Sequence, residues 1–285
     1  MKKNLQNKLD EIVNDKIHGA AQVAQHALEF IKVHAKESTA ESDGLFLADI
    51  ELICNEFKLI DNELAPVHNS IEAFLRRIKR ESPYADDIKE LSFNVAETLL
   101  KELKDSSSKI ASHFSHLILH DSTIMTISQS STIVHVLKFN KERIKNVFIM
   151  ESRPLREGRQ QAQELIAQGI PASLIADAAC GHFARYTDMV IIGADRILRD
   201  GSVTNKVGSY PLALVARENV IPFYVACESI KWDPRCQPES FTPQPKDEVE
   251  MFRGKPDNLN IKNIYFERIE PELITKIITE KTKSD

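Results

Sequence analysis

A carboxylate, an amide and an ammonium group occur close together after one apolar run of the sequence. The run Met189–Ile192 is followed by GADR at positions 193–196, and Asn205 with Lys206 stands just before the next apolar run. A carboxylate such as Asp195 can exchange protons with a ligand, and amide and ammonium donors suit an anion. The segment therefore predicts one wall of an anion-binding pocket. The alternative is an ordinary strand, loop and helix with a solvated Asp-Arg pair.

Three other apolar runs also end in polar residues. Ser128 and the serines after it, Ser130 among them, follow the first of these runs, Arg153 follows the second, and Asp177 follows the third. In an open α/β sheet, ligands bind beyond the carboxyl ends of the strands, so these side chains are expected to converge. Taken singly, such serines are usually helix caps and an Arg-Pro step is usually a loop. Their joint occurrence favours a phosphate-binding pocket.

The elements that would position these residues are predicted from hydrophobic periodicity. Apolar residues at three- and four-residue steps predict helices over 17–31, 45–57, 67–78 and 84–103, with a break at 105–108. Beyond residue 113, short apolar runs alternate with helical segments, which is typical of a parallel α/β domain. Residues 116–120 and 123–127 suggest a hairpin or bend, 261–267 a late strand and 271–278 a closing helix. We expect a helical N-terminal domain at 1–112 and an α/β C-terminal domain at 113–285.

Composition limits the classes of function. The chain has 285 residues, a net charge of −5 and 28% charged residues, so no overall positive charge favours nucleic acid or an anionic membrane. No apolar run approaches the ~20 residues of a membrane span, and the N-terminus lacks the apolar core of a secretory signal. The four cysteines show no CxxC spacing, so we expect a cytoplasmic protein without a disulfide framework. Cys180 and His182 are too few ligands for a metal site, and no cofactor is expected.

Several segments resemble a known superfamily. They are ESRPLREGRQQAQELIAQGI from Glu151, VIIGADRI from Val190, VTNKVGSYPLALVARENVIPFYVACES from Val203, and the tail YFERIEPELITKIITE from Tyr265. The superfamily joins the alpha, beta and delta subunits of translation initiation factor 2B with the ribose-1,5-bisphosphate and methylthioribose-1-phosphate isomerases. The resemblance is dense from about residue 118 onward and thin before it, where residues 16–20 are similar to the family's Arg-Gly-Ala segment.

The resemblance implies a helical N-terminal domain and a Rossmann-like C-terminal domain that carries both the pocket and a dimer interface. In the isomerases, the Asp of GAD and a Cys in an earlier segment handle protons while a sugar phosphate passes between aldose and ketose forms. Carried over by position, the Asp is Asp195. Residues on the substrate side would be His18, Gly19, Arg153, Ser130, Asn205 and Lys206.

Three positions depart from the family pattern. Ser128 stands where the isomerases have Cys, Ile127 replaces the preceding His, and His18 replaces the Arg of Arg-Gly-Ala. A thiol has a pKa of about 8.5 and can exchange protons near neutral pH, whereas a serine hydroxyl needs a partnering base that Ile127 does not supply. His18 lacks the bidentate fork of a guanidinium, and an ordinary polar helix residue is the alternative for it. For Asp195 the alternative is a structural acceptor of loop amides.

Three hypotheses follow. The first is an initiation factor 2B-like protein that binds a phosphorylated pentose or nucleotide without full isomerase chemistry. The second is an active aldose–ketose isomerase that uses Asp195 with Ser128. The third is a regulatory subunit in translation initiation that acts through a translation-factor partner. A homodimer or a higher oligomer is expected in each case.

Overall fold

The chain divides into two compact units. The computed structural model describes residues 3–13, 20–59 and 65–282. Met1–Asp105 with Ile230–Trp232 forms the first unit, and Ser106–Ser229 with Asp233–Asp285 forms the second. The predicted boundary between residues 112 and 113 stays a prediction.

The first unit is helical throughout its described part. Its helices are α1 (Lys3–Val13), α2 (Ala20–Glu37), α3 (Asp43–Lys58), α4 (Ala65–Glu81) and the first part of α5 (Ile88–Phe114). Ser42 caps α3, since its side chain accepts a hydrogen bond from the Leu45 amide. The apolar faces of these helices form one core, in which the rings of Phe30 and Phe57 meet edge to face at 5.7 Å. The predicted helical N-terminal region is confirmed.

Helix α5 continues through the serine-rich segment, so the predicted break at 105–108 is wrong. Ser106 is only 4% exposed, and Ile110 and Phe114 are fully buried farther along the helix. Because Leu103, Ser106, Ile110 and Phe114 recur at three- and four-residue steps, the buried face continues across the serines. Packing of that face outweighs the modest helix propensity of serine.

The second unit contains a six-stranded parallel sheet in the order β3-β2-β1-β4-β7-β9. Its strands are β1 (Ser122–Ile127), β2 (Ile144–Met150), β3 (Ala172–Ile175), β4 (Met189–Ile192), β7 (Phe223–Ala226) and β9 (Lys276–Ile278). Every residue of β1 and β4 is buried, as expected for central parallel strands covered on both faces. The predicted Rossmann-like parallel-sheet fold is confirmed. The strand order reverses direction at β1 and β4, which is where such folds bind ligands.

Besides the end of α5, four α-helices and a small antiparallel sheet complete the described part of this unit. The helices are α6 (Ser131–Phe139), α7 (Gly158–Ala167), α8 (Cys180–Ala184) and α9 (Ser209–Glu218). The small sheet has the order β5-β6-β8, formed by β5 (Arg196–Ile197), β6 (Val203–Lys206) and β8 (Phe266–Ile269). β5 and β6 of this sheet lie between Asp195 and the end of Lys206. Pairing of β6 with β8 connects this segment to the C-terminal region.

Two predicted elements differ from the structure. The closing helix at 271–278 is wrong, because only a single 3-10 turn at Pro271–Leu273 precedes β9, which pairs in parallel with β7. Residues 116–120 form turns and not one arm of a hairpin, and Leu119 there is 68% exposed. Both segments are short apolar runs, and periodicity alone cannot distinguish helix, strand and turn over such lengths.

Candidate functional site

Ser128 occupies the first position after β1, at the centre of the sheet's carboxyl edge. Its backbone has a φ of 64°, in the left-handed region, and its side chain is largely buried. The Ser128 amide donates to Ser152 Oγ at 2.6 Å, and the Ser152 hydroxyl donates to the Met150 carbonyl at 3.0 Å. These two bonds fix the turn after β1 against the end of β2.

Helix α6 begins two residues beyond this turn, beside the end of β4. Ser130 caps the helix, and its own amide donates to Gln161 Oε1 at 2.8 Å. A Cβ at Gly193 would lie 2.9 Å from Ser130 Oγ, so the close approach of β4 to this cap requires glycine. In the described part of the chain, the amides of Ser131 and Thr132 have no acceptor, and the fully buried Gln161 Nε2 has none either. The helix start therefore offers donors to an anion.

The backbone amides at the end of β2 are already occupied. The Asp177 carboxylate accepts hydrogen bonds from the Ser152 amide at 2.7 Å and the Arg153 amide at 2.8 Å. Asp177 thus closes the turn between β2 and α7, and its carboxylate is not free for proton transfer. The Arg153 guanidinium donates to the carbonyls of Pro154 at 3.4 Å and Met251 at 3.3 Å. No carboxylate of the described ranges lies within ion-pair distance of Arg153.

Lys206 ends β6 inside the protein, and its charge is compensated. It is 5% exposed, forms an ion pair with Glu157 at the start of α7, and lies 4.6 Å from the centroid of the Tyr265 ring. The position of Glu157 is fixed by Gly158, where a Cβ would meet the Met150 carbonyl oxygen at 2.0 Å. A ligand anion would have to share Lys206 with Glu157. Sequence reasoning missed Glu157, since nothing in its spacing distinguishes it from a surface glutamate.

The N-terminus of α9 is closed by an internal carboxylate. Glu267 Oε1 accepts hydrogen bonds from the Gly208 amide at 2.6 Å and the Tyr210 amide at 2.7 Å. These are the donors that an external anion would otherwise use. Burial raises the pKa of Glu267, and the bonds from these amides act in the opposite direction. Asn205 supports the same turn, because its buried Nδ2 donates to Ser209 Oγ at 3.0 Å.

Asp195 and Arg196 do not form the solvated pair that was the alternative interpretation of the segment. Asp195 is half-buried between β4 and β5, and its amide donates to the Thr204 carbonyl at 2.9 Å. Arg196 is 9% exposed and faces Asp233, with a distance of 3.8 Å from Nε to Oδ2. Asp195 therefore stands at the carboxyl end of β4 while Arg196 is part of the core beside it.

The structure brings most of the predicted residues to one edge of the sheet. Ser128, Ser130 and Arg153 follow β1 and β2, and Asp195 follows β4. Lys206 joins them through Glu157, the N-cap of α7, the helix that carries the Ser130 partner Gln161. His18 and Gly19 lie outside the described residues.

Three features are absent from the described part of the chain. Within the described ranges, no carboxylate or imidazole hydrogen-bonds to the Ser128 hydroxyl, so none of the described residues activates it as a base. No group of three or more metal-ligating side chains occurs among the residues that the structure describes. None of the described helices is long and apolar enough to cross a membrane.

Comparisons with known proteins agree with this architecture. A family model described as the initiation factor 2 subunit family matches residues 16–282. The chain is 32% identical over 274 residues to a Pyrococcus horikoshii protein named putative translation initiation factor eIF-2B subunit 2-like, covering 95% of this chain and 93% of that protein. It is 30% identical over 299 residues to methylthioribose-1-phosphate isomerase of Acetivibrio thermocellus, covering 98% and 87% of the two chains.

Solved structures of related proteins match the fold of this chain. The crystal structure of translation initiation factor eIF-2B from Pyrococcus horikoshii OT3 matches with a TM-score of 0.80 and 30% identity, over 98% of this chain and 96% of that one. The 5-methylthioribose 1-phosphate isomerase of the same organism shares the fold, with a TM-score of 0.83 and 23% identity over 97% and 83% of the two chains. The chain belongs to the initiation factor 2 subunit family, in which the relatives found here are eIF-2B-like proteins and sugar-phosphate isomerases.

Proposed function

We propose that the protein binds a phosphorylated pentose or nucleotide at the carboxyl edge of the sheet, without full isomerase chemistry. The observation that carries the proposal is that groups able to bind an anion surround Ser128, while no described group can act as a base on its hydroxyl. The anion-binding donors around it are present, namely the Arg153 guanidinium and the free amides at the start of α6. A group able to take a proton from the Ser128 hydroxyl is missing among the described residues.

The pocket would act in the following way. The first amides of α6 and the Arg153 guanidinium hold phosphate oxygens, since both offer donors to a negative charge. Asn205, Lys206 and Asp195 face the sugar, and Asp195 is the acid–base group that remains. A serine hydroxyl has a pKa far above neutral, so a proton removed from one sugar carbon has no second carrier at Ser128. Binding is then retained while conversion between aldose and ketose is lost.

Calorimetric titration tests this proposal with ribose 1,5-bisphosphate, methylthioribose 1-phosphate and AMP, while NMR follows conversion to a ketose. We expect binding of at least one ligand and no conversion. Arg153→Met should abolish binding, whereas Arg156→Met, an exposed neighbour with the same charge, should not. Absence of binding by all three ligands would contradict the proposal.

An active isomerase is the second candidate. It is favoured by the 30% identity to a named methylthioribose-1-phosphate isomerase over 98% of this chain. In this case Asp195 works with Ser128 or a water molecule as the second proton carrier. Ketose formation by the wild-type protein, and its loss in Asp195→Asn, would establish this candidate in place of the first.

A regulatory role in translation initiation is the third candidate, favoured by the 32% identity to an eIF-2B subunit 2-like protein. It requires a translation-factor partner and a subunit interface in place of the pocket. Association with such a partner that survives Asp195→Asn would support it. A cytoplasmic homodimer or larger oligomer is part of all three proposals, and sedimentation analysis measures the oligomeric state directly.

A further inference from the structure

Residues 245–252, which we call the strap, lie against the β8 region and reach the end of β2. The strap begins with an antiparallel bridge between Pro245 and Ile264, and the Lys246 amide donates to the Asn263 carbonyl at 2.9 Å. At its other end, the Met251 carbonyl accepts the bond from the Arg153 guanidinium at 3.3 Å. The strap thus connects to a residue of the candidate site.

Polar contacts, and not apolar burial, hold the strap in place. Its large apolar side chains remain in solvent, with Val249 52%, Met251 46% and Phe252 49% exposed. The anchor is Glu250, whose two oxygens accept from the Tyr265 hydroxyl and from Asn263 Nδ2. Because the strap buries little apolar area, its position depends on its polar contacts. A ligand that binds the contacting side chains can therefore change how firmly the strap is held.

Two cations near the strap have no carboxylate partner in the described part of the chain. Lys246 Nζ lies 5.2 Å from the centroid of the Tyr265 ring, the same ring that Lys206 contacts. Lys206 is paired with Glu157, and both oxygens of Glu250 are taken by neutral donors. Arg153 and Lys246, at the two ends of the strap, thus form no ion pair with a carboxylate of the described ranges.

We propose that Lys246 and Arg153 form an anion subsite under the strap, which takes one phosphoryl group of the ligand. This inference rests on the proposed function and assigns a ligand-binding role to Lys246. Arg153 uses only some of its five N–H donors on the Pro154 and Met251 carbonyls, so others can reach a phosphate without releasing the strap. The ring of Tyr265 holds the Lys246 ammonium group near the site by a cation–π contact. A bound phosphoryl group would then link both ends of the strap and close it.

Inorganic pyrophosphate is a suitable probe, because it carries the phosphoryl charge without a sugar. We expect Lys246→Met to weaken its binding about tenfold, the loss typical of one charge-assisted hydrogen bond. Lys262→Met is the matched control, since Lys262 is exposed on the adjacent segment, and it should bind as the wild type does. Lys246→Arg should keep most of the affinity, which separates loss of charge from misfolding. Hydrogen exchange of the amides at 246–252 should slow when pyrophosphate binds to the wild type.

The outcomes are distinguishable from those that test the proposed function. Pyrophosphate binding that weakens in Lys246→Met but not in Lys262→Met supports the subsite, even if no sugar phosphate or nucleotide binds and the proposed function fails. Equal affinity of Lys246→Met and the wild type overturns the subsite, and so does a wild type that binds sugar phosphates without slowing exchange in the strap. A wild type that does not bind pyrophosphate also overturns it.

Discussion

The Glu157 carboxylate and the Lys206 ammonium group form an ion pair at the carboxyl edge of the sheet, where the Lys206 side chain is 6% exposed and the Glu157 side chain 23%. Such a pair lowers the positive charge that a ligand phosphate meets. It also keeps a buried ammonium group from being left without a partner, which is costly in a protein interior. Glu157 therefore adjusts both the stability of the fold and the affinity of the site for anions.

Glu157→Gln tests both roles. We expect the free energy of unfolding to fall by about 2 kcal/mol, less than the 3–5 kcal/mol of a fully buried pair, because Glu157 retains contact with solvent. Pyrophosphate should bind more tightly to this variant and restore part of the lost stability, as any ligand of the folded state does. Urea denaturation with and without pyrophosphate measures both effects. Glu151→Gln, which breaks the more exposed pair with Arg159, is the control and should show neither effect.

Ser128→Cys tests the missing proton carrier. A thiol at this position can exchange protons near neutral pH, so we expect conversion of a bound sugar phosphate to rise by about 10²–10⁴-fold, the range for general acid–base groups. NMR detection of the ketose measures it. Ser131→Cys is the control, since it places a thiol on the exposed first position of α6. A variant that binds the sugar phosphate but shows no gain would mean that Asp195 is not oriented for catalysis.

Glu267→Ala should destabilise the second unit by about 1–2 kcal/mol, the usual effect of losing a helix cap. The reason is that the Gly208 and Tyr210 amides lose their common acceptor. Glu267→Gln keeps an oxygen in place and should lose less. Chemical denaturation compares both variants with Glu272→Ala, which removes an exposed carboxylate nearby and should be neutral.

The same residue gives a pH dependence with a defined sign. Burial raises the pKa of Glu267 above its ordinary value of 4.5, so the folded state binds this proton more tightly than the unfolded state does. Its contribution to stability is thus fully present below pH 4.5 and is lost as the pH rises through the folded-state pKa. The difference in unfolding free energy between wild type and Glu267→Gln should shift against the wild type over that interval. A pH-independent difference would contradict the assignment.

His34 in the first unit has the opposite dependence. Its ring is 4% exposed, stacks on Phe46 with centroids 6.0 Å apart, and has no hydrogen-bond partner among the described residues. Burial lowers the pKa of His34, so stability should fall as the pH drops below 6.5 and the unfolded chain takes up the proton first. His34→Leu should remove this slope and add about 1 kcal/mol at neutral pH, because two unpaired ring nitrogens are lost. Thermal unfolding across this pH range checks it, with exposed His120→Leu as the control.

The architecture of the second unit could be predicted from the sequence because its central, buried strands are continuous apolar runs. Met189–Ile192 appears in the structure with the predicted bounds, and all of its residues are buried. The last strand was missed for the same physical reason: Lys276–Ile278 is too short for periodicity to distinguish it from a helical turn, and its pairing with β7 decides its conformation.

The candidate site was only partly predictable. The position of polar residues after strands indicated Ser128, Arg153 and Asp195, because parallel strands all end at one edge. The carboxylates that occupy the neighbouring donors could not be anticipated, since Glu267 reaches the start of α9 from a strand far along the chain. Pairings of that kind depend on tertiary contacts, which local patterns do not contain.

The position of β9 has a consequence for synthesis on the ribosome. β7 pairs with β4 on one side and with β9 on the other, and the whole segment from Cys227 to Thr275 is made between these two partners. Until that segment has left the ribosome, one side of β7 lacks its partner, and an unpaired strand edge is prone to associate with other chains. The nascent protein therefore passes through a stage in which β7 is the edge strand of the sheet, and pairing with Lys276–Ile278 moves that edge to β9.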